Sequence, residues 1–151
     1  MPAIYVDADA CPVKEETYRV AKRYGWPVFV VSNAWMRTPS DAEVELVVVG
    51  GDFDAADDWI VERAGADDVV VTGDIPLAAR CLEKGAAVLG LRGQEFTEDS
   101  IGDALASREL LSQLRDLGEV SGGPAPFQKK DRSAFLQKLD QIVQRVRRRS
   151  E

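Results

Sequence analysis

The sequence predicts an α/β protein: a three-layer α/β/α sandwich around a mainly parallel sheet of four or five strands. Three observations carry this expectation. Short β-branched runs recur at Val28-Phe29-Val30-Val31, Leu46-Val47-Val48-Val49 and Val69-Val70-Val71. They are continuous rather than alternating, as expected of strands buried on both faces. Segments with helical spacing separate them.

The elements follow in chain order. Ile4-Tyr5-Val6 is a short first strand. Pro12 suits a first helical turn, and Val13, Thr17, Val20, Ala21 and Tyr24 continue at helical spacing until Gly25. Val28–Val31 is the second strand, and residues 33 to 43 read as a loop. Leu46–Val49 is the third strand, closed by Gly50-Gly51. A helix over 54–64, a strand at 69–71, a helix over 75–84 and a fifth strand at 87–89 complete the alternation. Residues 97–117 are helical, with a candidate break near Ser107. Gly122-Gly123-Pro124-Ala125-Pro126 marks a loop spanning 118–130. A last helix is expected over 131–149, with Asp131 as N-cap and an apolar face of Phe135, Leu136, Leu139, Ile142, Val143 and Val146.

Composition narrows the chemistry. The 151 residues suit one domain. There is no histidine, which excludes Ser-His-Asp and Cys-His catalysis and His-ligated zinc. Cys11 and Cys81 form no CxxC and make no disulfide framework. Cys11 falls near a helix N-terminus, where a thiol pKa can drop, but a small core thiol is the favoured reading for both. The N-terminal run has no basic stretch and meets Asp7 early, and no apolar run is long enough to span a membrane. The expected setting is the cytoplasm, without membrane contact.

Charge is unevenly placed. From Gln128 onward eight basic residues face three acidic ones, a charge of +5. The formal net charge of −7 therefore leaves −12 on the first 127 residues. An acidic body with a basic tail does not by itself announce a nucleic-acid binder.

The acids are the chemical signal. Asp7 and Asp9 follow the first strand, Asp54 and Asp57 open the helix after the third, and Asp74 follows the fourth. In an open parallel sheet these ends form the ligand-binding edge. Asp54 and Asp57 share a helical face, and Asp58 is nearly as well placed. Converging carboxylates repel one another, so a hard cation such as Mg²⁺ or Mn²⁺ is the natural neutraliser. Such an ion can activate water for displacement at phosphorus. The competing explanation is helix capping, which suits Asp9, Asp54 and Asp74 singly but leaves Asp7 and Asp57 unexplained.

Motifs then resemble a known family. Asp7-Ala8-Asp9-Ala10-Cys11-Pro12-Val13 resembles the opening of the bacterial YaiI/YqxD family. Asp54-Ala55-Ala56-Asp57 and Thr72-Gly73-Asp74-Ile75-Pro76-Leu77-Ala78 look like its internal motifs. Gly122-Gly123-Pro124, Asp131-Arg132 and Phe135 look like its C-terminal signature. That family is similar to the PIN-like nucleases, whose strand-end acids bind Mg²⁺ or Mn²⁺ and cleave RNA or DNA. The resemblance implies a single PIN-like domain over residues 1–151 and a metal-dependent nuclease site.

The candidate catalytic residues are thus Asp7, Asp9, Asp57 and Asp74, with Asp54 added as a metal ligand. Candidate substrate contacts are Lys14, Thr72, Lys129, Lys130 and Arg132. Each has an ordinary alternative: a solvated lysine, or a terminal helix that packs by its apolar face. The expected partner is single-stranded nucleic acid, RNA ahead of DNA. The loop cluster Trp35-Met36-Arg37 suits base stacking on unpaired bases or, more simply, local packing or a protein contact.

Two rival functions remain. Asp7-Ala8-Asp9 after a strand looks like the nucleophile and acid of a haloacid-dehalogenase-type phosphatase, with Thr72 as its phosphate-binding hydroxyl. The order argues against it, because Thr72 follows Asp57 where that family places its Thr motif first. The other rival is a non-catalytic PIN-like binding module.

Overall fold

A computed structural model describes residues 2–9, 11–40, 43–51, 54–118 and 126–150. Six strands and five helices are present among them. Strands β1 (Ile4–Asp7), β2 (Val28–Ser32), β3 (Val44–Val48), β4 (Val69–Val71), β5 (Ala87–Leu89) and β6 (Glu95–Phe96) form one sheet. Helices α1 (Lys14–Tyr24), α2 (Ala55–Arg63), α3 (Ile75–Glu83), α4 (Glu98–Asp116) and α5 (Lys129–Ser150) flank it.

The strand order is β3-β2-β1-β4-β5-β6, parallel except for β6 against β5. The sheet therefore exceeds the expected four or five strands. The added β6 has two residues, too few for a hydrophobic period to register. Propagation reverses between β1 and β4, which makes that gap the topological switch point.

Alternating side chains divide the interior into two cores. Ile4, Val6, Val28, Val30, Val69 and Val71 face α1 and α5, which contribute Val20, Phe135, Leu139, Ile142 and Val146. Tyr5, Val31, Val70 and Val88 face α2 and α3, which contribute Ile60, Leu77, Ala78 and Cys81. Ile101 and Ala104 of α4 pack against this second core. The three-layer arrangement follows, because each central strand must cover apolar side chains on both faces. β3 departs from that pattern. It is an edge strand, and Glu45 and Val48 are exposed.

Local differences have physical causes. α1 starts at Lys14, so Pro12 precedes the helix instead of opening it, and Val13 at the N-cap offers no side-chain cap. α4 runs unbroken through Ser107, because Thr97 and Ser100 form a capping box and nothing interrupts the helix behind them. α5 begins at Lys129, two residues before its expected start. Asp131 still satisfies the helix end from inside the first turn, its carboxylate accepting the Gln128 N–H at 2.8 Å. Of the expected 118–130 loop, Gly122-Gly123-Pro124-Ala125 lie outside the described residues, and 126–128 are non-helical. The β5–β6 turn places Gly93 at φ 85° against α5, where a Cβ would stand 2.7 Å from the Ala134 carbonyl carbon.

Candidate functional site

Asp7, Asp9, Asp57 and Asp74 line one cavity of about 420 Å³, together with Asn33, Ala56, Gly73 and Leu91. The topology brings them there. Asp7 ends β1 and Asp74 follows β4, so the two flank the switch point. Asp57 enters from the first turn of α2. Asp9 lies just beyond β1 and is held by the end of β2: Ser32 Oγ and Asn33 Nδ2 each donate to its carboxylate at 3.0 Å.

Thr72 ties β1 to β4 beneath the cavity. Its fully buried hydroxyl donates to Asp7 Oδ2 at 2.9 Å and accepts the Asp74 N–H at the same distance. Asp74 is also the N-cap of α3, accepting the Leu77 N–H at 3.1 Å. Capping and cavity lining thus coincide in one carboxylate. Asp54 occupies the N-cap position of α2 but makes no side-chain cap hydrogen bond, and the N-cap of α1 falls at Val13 rather than Asp9.

The carboxylates strain one another electrostatically. Burial pushes the Asp57 carboxyl up to about 6, with Asp74, Asp7 and Asp54 adding repulsion and Arg80 opposing them. Burial also raises Asp7; the Thr72 hydrogen bond lowers it, and Asp74 and Asp9 raise it further. Asp58 turns away and pairs with Arg80 at 2.9 Å on the exposed side of α2. The donors facing the cavity are oxygens, the set that hard divalent cations prefer. Among the described residues, no three His, Cys, Asp or Glu side chains are drawn together as a ready-made ion site.

The basic candidates lie elsewhere. Lys14 Nζ donates to the Cys11 carbonyl at 2.9 Å. Arg132 donates to the Pro12 carbonyl at 2.6 Å and to Glu16 at 3.1 Å, clamping α5 to the segment that follows Asp9. Lys130 borders a separate hollow with Arg23 and Asp140, and Lys129 is exposed at the start of α5. None of the four lines the acidic cavity. Cys11 is buried, and burial pushes its thiol up, away from reactivity; burial likewise pushes Cys81 up to about 12. Trp35 is 76% exposed, whereas Met36 packs on the core.

Ser32, Asn33 and Leu91 join the site without having been singled out, and Ala56 and Gly73 join it from within the motifs quoted above. Ser32-Asn33 carried a usable signal, as paired polar residues immediately after a β-branched run. Leu91 carried none.

The fold and site define an open, mainly parallel α/β protein with a carboxylate-lined crevice at the strand ends of its switch point, the place where open sheets of this kind bind ligands. The chain belongs to the family described as uncharacterized BCR, YaiI/YqxD family, whose profile matches residues 5–145. It is 58% identical over 149 residues to a UPF0178 protein of Parvibaculum lavamentivorans, covering 99% of this chain and 98% of that one. A UPF0178 protein of Rhodopseudomonas palustris is 55% identical over 145 residues, covering 96% and 94%. One from a Caulobacter species is 55% identical over 148 residues, covering 98% of each. No solved structure matches the chain. No helix among the described residues is long and apolar enough to cross a membrane.

Proposed function

We propose that the crevice hydrolyses phosphodiester bonds of single-stranded nucleic acid, RNA ahead of DNA, with Mg²⁺ or Mn²⁺ held by its carboxylates. One observation carries the reading. Asp7, Asp9, Asp57 and Asp74 share a cavity at the switch point, and Asp57 is pushed up to about 6 by burial and by its acidic neighbours. Such a cluster is relieved by a hard cation. This arrangement also supports the kinship with PIN-like nucleases that the motifs suggest.

Asp7 and Asp74 are the principal ligands in this reading, with Asp9, Asp57 and Asp54 direct or through water. The open spacing suits a cation that keeps several of its waters. The bound cation would supply a water of lowered pKa and a counter-charge for the phosphate. Thr72 fixes the Asp7 carboxylate and the Asp74 backbone in register. Ser32 and Asn33 orient Asp9. Lys129 and Lys130, at the start of α5, would attract the polyanion from a distance.

Titration calorimetry with Mn²⁺ and Mg²⁺, paired with cleavage of labelled single strands, tests this. Wild type should bind and cleave, and Asp7→Asn/Asp74→Asn should do neither. Equal metal affinity in the double variant would overturn the site. Metal binding without cleavage would leave a binding module, and a trapped aspartyl-phosphate would favour the phosphatase.

A further inference from the structure

A second cavity, of about 370 Å³, shares Gly73 and Leu91 with the acidic one. Its character is different. Ile75, Leu91, Phe96 and Phe127 make it apolar, and Arg92 and Gln94 supply polar groups. The Arg92 guanidinium lies 5.6 Å from the Phe127 ring centroid, and Arg132 lies 5.1 Å from the same ring. At the shared wall, a Cβ on Gly73 would come within 3.0 Å of Leu91 Cδ1, so glycine keeps the junction clear.

We propose that this second cavity is a nucleobase subsite, receiving the base of the nucleotide whose phosphate sits in the acidic crevice. The proposal rests on the phosphodiesterase reading and names what that reaction recognises. A nucleobase has apolar π faces and a polar edge. Aromatic rings and guanidinium planes stack on the faces, and amide and guanidinium groups bond the edge. The cavity offers all three at one place: two phenylalanines, Arg92 and Gln94. An aliphatic chain would use the apolar wall alone and leave the Gln94 amide unused, whereas Arg92, already paired with Asp131 at 3.1 Å, presents its plane over Phe127 for stacking. The adjoining carboxylates favour a ligand that carries phosphate to a bound cation. A fatty acid would bring its own carboxylate with no base to fill the pocket.

Contiguity is the decisive feature. The two cavities meet at Gly73 and Leu91, so base and phosphate ends of one nucleotide fall on opposite sides of a single backbone junction. Leu91 thereby becomes a positioning residue, its side chain forming part of both walls.

The test compares adenosine 5′-monophosphate with ribose 5-phosphate by calorimetry on the full chain in Mg²⁺. The nucleotide should bind about tenfold tighter, the scale expected for one stacked base. Ile75→Phe, which fills the cavity, and Phe127→Leu, which removes a ring, should each bring the ratio close to one. Equal affinities in wild type, or no binding of either probe, would overturn the subsite. So would a preference that survives both substitutions in variants with unchanged unfolding midpoints. No base preference in wild type, with Mn²⁺ binding and strand cleavage intact, strikes this subsite alone. Base preference without cleavage strikes the phosphodiesterase reading alone.

Discussion

The Thr72 hydroxyl donates to the Asp7 carboxylate at 2.9 Å from a fully buried position, joining the fourth strand to the first across the switch point. The same oxygen accepts the Asp74 N–H, so one side chain sets the relation between two acids.

Thr72→Val keeps the shape and removes both bonds. It leaves the Asp74 N–H without its acceptor and Asp7 without a donor that lowers its pKa. The cost should be about 1–3 kcal/mol, read from urea unfolding at neutral pH. An unchanged midpoint would show that Thr72 does not hold the strand ends together.

Asp57→Asn should stabilise the protein at pH 7–8 in chelator. The folded carboxyl is raised from 3.8 to about 6, so the native state binds the proton more tightly than the unfolded chain. Stability then falls as pH rises from about 4 to about 6, because the native state is losing a proton the unfolded chain has already released. Asparagine carries no such penalty. The advantage of Asp57→Asn should be full above pH 6 and shrink as pH falls toward 3.8. Thermal unfolding midpoints measured across that range check the sign; a parallel offset at every pH would contradict it.

Gly93→Ala should destabilise by about 2 kcal/mol or more, since it combines a positive φ with overpacking against backbone. The new Cβ would meet Ala134 main-chain atoms at 2.7 and 2.8 Å, and α5 would have to withdraw. A control, Gly102→Ala, has open space at its Cβ on the exposed surface of α4. Differential unfolding of the two variants separates the local clash from a general glycine effect.

Arg132→Ala should cost about 1–3 kcal/mol, because Glu16 would be left buried without its guanidinium. Glu16 is 8% exposed, and its second oxygen has no hydrogen-bond partner among the described residues. Adding Glu16→Met in the Arg132→Ala background should recover part of the loss. If the second substitution only deepens it, packing rather than the buried charge governs this clamp.

Much of the architecture is legible in the chain itself. The runs at Val28–Val31 and Val69–Val71 announce strands covered on both faces, and the structure has them there. Half of the crevice is legible too, because acids immediately after strands must lie at one sheet edge once the strands are parallel. The switch point between β1 and β4 is not legible, since no local pattern encodes strand order. The two-residue β6 is too short to carry a period. Arg132 reads as a free cation until tertiary structure shows Glu16 and the Pro12 carbonyl within reach. The same holds for Leu91, an ordinary leucine whose place in two walls depends on a turn distant in sequence from Asp7 and Asp74.

The packing of α5 on α1 has a consequence for synthesis. Phe135, Leu139, Ile142 and Val146 close the core over Ile4, Val6 and Val28, more than a hundred residues after those strands leave the ribosome. The alternative face, sealed by α2, α3 and the start of α4, is complete by Ala104. A growing chain can therefore close one side of its sheet while the other is covered by α1 alone until translation nears its end. Synthesis proceeds at about 5–20 residues per second, so that half-covered side persists for seconds. During that interval the nascent protein presents an apolar surface of the kind chaperones hold, and a stall before Phe135 would leave the part that α5 covers permanently open.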